Sequence, residues 1–192
     1  MTDLMFLDLP INNFLYSIRD PFWTELLLWV THLGDIAGII IVGTLLTSFL
    51  FVRKNYLHIG AFFISLFSGG ILAILIKMII KRPRPEWPFP VYTAESLFSF
   101  PSFHATVAVI LYGFIAYIVW HTSIGSVQAT STSLSARKIR WISTISVILI
   151  ILVIGFTRLY LGVHYFSDVI GGYILGTLCL ARGIYFIKKS NK

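Results

Sequence analysis

Charge is scarce in this chain. Of 192 residues only 12% are Asp, Glu, Lys or Arg, whereas 57% are hydrophobic. A soluble domain of this size would carry about twice that charged share. A soluble globular protein is therefore excluded, and one integral membrane domain over residues 1–192 is expected. Acids are scarcer still: eight Asp and Glu stand against 15 Lys and Arg, a net charge of +7. That balance does not call for nucleic acid, because Lys and Arg also collect at the cytoplasmic ends of membrane helices. The single cysteine, Cys179, lies in an apolar run, so no intrachain disulfide can form. The N-terminal stretch carries Asp3 and Asp8 before any cation, which is not the basic start of a signal peptide. There is no internal repeat. Proline is almost confined to one stretch: five of the seven (Pro83, Pro85, Pro88, Pro90, Pro101) fall in residues 81–101, which are thus expected to be non-helical.

What the chain has in quantity is long apolar runs. Five are expected to span a bilayer: about Leu27–Val52, Asn55–Lys77, Ser102–His121, Trp141–Arg158 and Asp168–Ile187. Each suits about 30 Å of hydrocarbon. Gly34 with Gly38, and Gly172 with Gly176, offer small-residue faces for helix packing. Upstream, Ile11, Phe14, Leu15 and Ile18 recur at helical spacing, with Asn12, Asn13, Ser17 and Arg19 between them. Residues 1–21 are therefore expected to hold an amphipathic helix at the membrane interface, started by Pro10, with Pro21 starting the next helix and residues 22–192 forming the helical core. The fold class is all-α: an integral membrane bundle of about five transmembrane helices plus this interfacial helix. A Ser/Thr-rich connection over 122–140 ends in Arg137, Lys138 and Arg140. Five spans leave nine cations on the side of Arg53, Lys54 and the C-terminus, against six on the other. The richer side is expected to be cytoplasmic.

Three clusters of polar residues occupy helix ends: Lys77 to Arg84-Pro85, Pro101-Ser102-Phe103-His104, and Arg158 to His164 and Asp168. Charged groups are costly near lipid, so their recurrence points to function. Alternating helix directions bring all three to one face, the outer one. Lys77 at a helix end and Arg84 beyond a proline break can grip phosphate oxygens. Lys81 and Arg82 between them are expected to be only a basic stop at the membrane boundary. Ser102 has the position of an N-cap, and the helix start behind it, with the amides of Phe103 and His104, suits an anion. His104 can protonate a leaving oxygen. His164 and Asp168, four apart, share a face if helical. The carboxylate then fixes the tautomer and leaves the other ring nitrogen as a nucleophile. A metal site of His104, His164 and Asp168 is the chemical rival, but three cations would crowd the ion, so no metal is expected. His32, His58 and His121 have no partner legible in the sequence. Trp29, Trp120 and Trp141 have the positions of interfacial anchors.

The run Lys77-x6-Arg84-Pro85, Pro101-Ser102-x-His104 and Thr157-Arg158-x5-His164-x3-Asp168 closely resembles the type 2 phosphatidic acid phosphatase family, over residues 77–168 and in the family's order. The resemblance implies metal-independent, cofactor-free dephosphorylation through a phosphohistidine. His164 would be the nucleophile, Asp168 its orienting partner, and His104 the acid and then the base for water. Lys77, Arg84, Ser102, Arg158 and the amide of Phe103 would hold the phosphoryl oxygens, where stabilisation of developing charge drives catalysis. Two positions depart from the family: Phe103 stands where Gly is usual, and Thr157 where Ser is usual. The first adds a bulky ring that can narrow the pocket or line a lipid path.

The expected activity is thus that of a lipid phosphatase of a bacterial cytoplasmic membrane, facing outward, whose partners are the bilayer and a lipid phosphate rather than nucleic acid. A polyprenyl diphosphate (undecaprenyl diphosphate) is the favoured substrate, and phosphatidylglycerophosphate or phosphatidic acid the alternative. An anion transporter or channel would need a charged path through the membrane, and the charges gather at one face instead. A catalytically dead relative would not be expected to keep His104, His164 and Asp168.

Overall fold

In a computed structural model, residues 2–86, 98–121 and 134–190 are described, with side chains from residue 6 and, in the last segment, from residue 137. Pro88, Pro90, Glu95 and most of the Ser/Thr-rich connection lie outside them. The described residues form seven α-helices and no strand: α1 (Thr2–Ser17), α2 (Pro21–Thr31), α3 (Ile36–Val52), α4 (Tyr56–Ile80), α5 (Phe103–His121), α6 (Leu134–Tyr160) and α7 (Phe166–Ser190). Helices α4 to α7 are each long and apolar enough to cross a membrane. Pro21–Gly34 and Ile36–Val52, taken together, are also long and apolar enough, with a bend of 49° between them, giving four to five candidate spans.

Expectations about three segments need correction. Pro10 does not start α1 but lies inside it, because the flanking residues on both sides continue the helix. The apolar stripe faces largely away from the protein, as expected of an interfacial helix, and the docking side is mostly polar. Asp8, Asn12 and Leu15 are buried, whereas Phe6, Phe14 and Ile18 are exposed. A helix lying at a bilayer has lipid on one side and a polar protein surface on the other, so its polar side can be the one that docks. The first span is not continuous either. A single 3-10 turn, His32–Gly34, interrupts it, and Asp35 caps α3 by accepting from the amides of Ala37 (2.9 Å) and Gly38 (3.2 Å). A Cβ at Gly38 would lie 2.3 Å from the His32 carbonyl oxygen, so its smallness serves this break rather than helix–helix packing. His32 also has a partner: Nδ1 is 2.6 Å from the Asp35 carboxylate. Finally, α6 begins before Trp141, so Arg137, Lys138 and Arg140 ride on its first turns. These residues are good helix formers and need no loop.

Helix α5 is central and packs on α4, α6 and α7. Ala108, Leu111 and Phe114 on α5 join Phe62 on α4, Ile154 on α6 and Ile187 on α7 in the main apolar core. The close α5–α7 approach depends on the Gly172/Gly176 pair. A Cβ at Gly172 would lie 2.6 Å from the Ser102 carbonyl oxygen, and one at Gly176 2.5 Å from that of Thr106. The opposite faces are apolar and exposed: Ile71 and Leu75, Leu149 and Leu152, Ile174 and Leu178. Apolar residues outside and polar ones within is the arrangement lipid demands. Trp29 and Trp141 are exposed near helix ends, as interfacial anchors are.

Candidate active site

The site lies where α4 and α6 end and α5 and α7 begin. Helix α6 closes with a Schellman motif: Gly162 N–H donates to the Leu159 carbonyl (3.0 Å) and Val163 N–H to that of Arg158 (3.2 Å). Gly162 has φ 73°, a left-handed position that favours glycine. The reversal puts His164 in the turn, one residue before the cap of α7. The His164/Asp168 pair therefore does not share a helix face. It meets across the start of α7, with Nδ1 3.4 Å from Asp168 Oδ2. The same Oδ2 accepts from the Tyr165 amide (2.8 Å), as a third-residue acid does in a capping box. Asp168 thus caps α7 and faces the imidazole at once.

With Nδ1 turned to Asp168, Nε2 is the outward nitrogen. Arg84 stands over it, one guanidinium nitrogen 3.4 Å from Nε2 and donating to the Val163 carbonyl at 2.8 Å. His164 is fully buried, which pushes its imidazole down to about 3. The hydrogen bond to Asp168 opposes this, and the positive charges of Arg158 and Arg84 reinforce it. At neutral pH the ring is uncharged and a lone pair is available at Nε2.

The other sequence-predicted residues reach the same place. Lys77 is buried in the last turn of α4, and its ammonium donates to the carbonyls of Phe98 (2.5 Å) and Ser99 (3.0 Å). Ser102 precedes α5 and caps it through Oγ, which accepts weakly from Ala105 N–H (3.4 Å). Its own amide donates to the Asp168 carbonyl (2.9 Å), tying the starts of α5 and α7 together. His104 is on the first turn of α5, buried against Gly34, and within electrostatic reach of His164, Arg84 and Lys77. Arg158, wholly buried in the last turn of α6, donates to Thr31 Oγ1 (2.8 Å). Thr157 lies 3.1 Å from the same Thr31 hydroxyl and so braces the residue that holds Arg158. Phe103 has no positive φ, so the backbone there does not require glycine. Its half-buried ring packs against α4 at Gly70, where an added Cβ would lie 3.6 Å from it. Among the described residues no group of three or more His, Cys, Asp or Glu converges as metal ligands.

Arg82 is a correction. It is not a mere basic stop: one guanidinium nitrogen donates to Asp168 Oδ1 (2.7 Å) and Ser167 Oγ (2.6 Å), the other to Asp8 Oδ2 (2.7 Å). Asp8, Asn12, Thr31 and Ser167 were also not legible as site neighbours. Asn12 donates its side-chain amide to the His164 carbonyl (3.3 Å). The available signal was a polar pair, Asp8 and Asn12, four apart and so on one face of α1.

Comparison with known proteins agrees with this architecture. A family model described as the PAP2 superfamily matches residues 58–192. Phosphatidylglycerophosphatase B of Bacillus subtilis (strain 168) is 34% identical over 177 residues, covering 89% of this chain and 78% of that protein. The crystal structure of a transmembrane PAP2-type phosphatidylglycerolphosphate phosphatase from Bacillus subtilis superposes with a TM-score of 0.73 at 30% identity, over 94% of this chain and 84% of that one. Aquifex aeolicus LpxE shares the fold, with a TM-score of 0.66 at 22% identity over 95% of both chains. With most of its length matched by one family and its helix ends gathered around a buried His–Asp pair and cations, the chain belongs to the PAP2 superfamily and is a membrane lipid phosphatase, a phosphoric ester hydrolase.

Proposed function

We propose that the chain releases phosphate from phosphatidylglycerophosphate through a phosphohistidine on His164. The observation that carries this reading is the His164 ring itself: buried, uncharged, backed by Asp168 at Nδ1 and topped by Arg84 at Nε2. Nε2 attacks phosphorus and the lipid alkoxide departs, taking a proton from His104. Water, deprotonated by His104, then attacks the phosphohistidine, and inorganic phosphate leaves with His164 restored. Lys77, Arg84, Arg158, Ser102 and the first amides of α5, including that of Phe103, hold the phosphoryl oxygens as charge builds on them.

The substrate choice rests on the Bacillus relatives, whose names specify a phosphatidylglycerol phosphate. Undecaprenyl diphosphate, favoured on sequence alone, is the comparator. A panel of phosphatidylglycerophosphate, phosphatidic acid and undecaprenyl diphosphate in detergent, read by phosphate release, tests it. The highest kcat/KM is expected with the first, and a clear preference for the diphosphate overturns the choice. Because cations hold the phosphate, activity is expected to survive EDTA. Loss in EDTA with recovery in zinc would favour the metal reading. An anion channel is disfavoured because the described buried charges (Asp8, Lys77, Arg158 and Asp168) all lie at one end of the bundle.

The ring of Phe103, beside the site and packed on α4 at Gly70, suits a wall of the lipid path. Phe103→Gly is expected to change the ratio of kcat/KM values across the panel several-fold, and an unchanged ratio removes that role. The cation distribution supports a cytoplasmic C-terminus and a site on the outer face of the cytoplasmic membrane. A C-terminal fluorescent and phosphatase reporter pair should signal the cytoplasm; the reverse result inverts the topology.

A further inference from the structure

We propose that Asp8 of the interfacial helix and Arg82 are positioning residues for the catalytic dyad, so that α1 is part of the reaction machinery and not only a membrane contact. The inference rests on the role of His164 and Asp168 proposed above. The connection is continuous and buried. Asp8 is 1% exposed, and its carboxylate accepts three bonds: Arg82 (2.7 Å), Ser167 Oγ (2.6 Å) and the Ser167 amide (2.8 Å). Arg82 spans the distance from Asp8 to Asp168 with its two terminal nitrogens, and its guanidinium lies 4.1 Å above the Tyr165 ring. Asp168 Oδ1 is thereby held by Arg82, which leaves Oδ2 to the Tyr165 amide and to His164 Nδ1.

The order of charges is acid, base, acid, imidazole. Arg82 alone would draw the Asp168 charge away from the imidazole. Asp8, on the far side of Arg82, offsets that pull and leaves Asp168 able to support the positive charge that forms on His164 during phosphoryl transfer. A helix that only needed anchoring could use apolar contacts, and α1 already has one in buried Leu15. Placing a buried carboxylate there is costly unless it is fully bonded. Full bonding is what Asp8 obtains, and only from residues flanking the dyad.

The pH profile of kcat/KM separates positioning from anchoring. The His164 ring is faced by Asp168 from α7, Arg158 from α6, Arg84 from the segment after α4 and His104 from α5. These are unchanged in the variants, as is titration of the substrate phosphate. Asp8→Asn removes a negative charge and is expected to displace the acid limb of the profile, set by His164 at about 3, further toward acid by about 0.3 unit or more, whereas Arg82→Gln displaces it toward alkali. Both lower kcat about 10-fold or more, with KM within about twofold, as expected for support given in the transition state. Leu15→Ala, which loosens the same helix, leaves the profile in place. Displacement of both variants in one direction, no displacement in either, or the same displacement in Leu15→Ala overturns the proposal. If Asp8→Asn does not purify folded, Arg82→Gln against Arg82→Lys decides: the displacement must appear with Gln and largely vanish with Lys. His164→Ala is run alongside on phosphatidylglycerophosphate. Turnover by that variant sinks the dyad reading itself, whereas unshifted Asp8 and Arg82 profiles sink only this inference.

Discussion

His164→Ala is expected to reduce phosphate release to background, at least about 10⁴-fold below the unsubstituted enzyme, and to leave the protein folded. The chemical loss is complete because no other described imidazole takes the place of Nε2 under Arg84. The fold survives because the turn is held by its backbone: the Gly162 and Val163 amides close α6, and Asn12 binds the carbonyl of residue 164, which alanine retains. The comparison is made on protein eluting as one species in detergent. A second readout is the acid-labile phosphoenzyme, trapped by quenching turnover of ³²P-labelled lipid, which the variant should lack. Substantial turnover in the variant, or an undiminished phosphoenzyme, would reassign the nucleophile. Burial adds a pH expectation. Because the imidazole is pushed down to about 3, protonation of the nucleophile does not limit kcat/KM between pH 5 and 7. An acid limb near the ordinary imidazole value of about 6.5 that moves when His164's neighbours are changed, and not with the substrate, contradicts this.

Asp168→Asn is expected to cost about 10³–10⁴-fold in kcat with a small change in KM, although the side chain keeps its shape. The reason lies in the three groups around the carboxylate: Arg82, the Tyr165 amide and His164. Arg82 and the Tyr165 amide both donate to it and fix its two oxygens. An asparagine that turns its oxygen to Arg82 must turn its NH2 toward the Tyr165 amide and His164. The imidazole then accepts at Nδ1 and carries its proton on Nε2, where the nucleophilic lone pair is needed. The opposite flip sets the NH2 against Arg82. Neither orientation restores the dyad, and breaking a buried ion pair also lowers stability, by about 3–5 kcal/mol. Activity per folded molecule, measured beside a melting curve, separates the two effects. A variant with near-full kcat would show that Asp168 only caps α7.

Much of this site is legible in order along the chain. Prolines 83 and 85 end α4, Ser102 caps α5, Gly162 turns α6 into α7, and each signal is local in sequence. The parts that escaped notice are those whose partners are distant. Arg82 beside two prolines has the composition of a membrane-boundary stop, and only its approach to Asp8 and Asp168, 74 and 86 residues away, gives it another role. Thr31 is invisible for the same reason: its hydroxyl matters because Arg158 ends beside it. The α2–α3 break lies in the short stretch Thr31-His32-Leu33-Gly34-Asp35 between two apolar runs, where Gly34 reads as a packing residue.

By itself, the sequence determined the class of the fold and the kind of chemistry. Apolar runs of membrane length can satisfy their backbone only as helices, and alternate helix directions must bring the three polar clusters to one end. Tertiary structure alone decided how the carboxylate of Asp168 is shared, which face of α1 docks, and where the first span bends. Those outcomes depend on which buried donors and acceptors find each other across the bundle, and a buried polar group takes whatever partner the packing brings within reach.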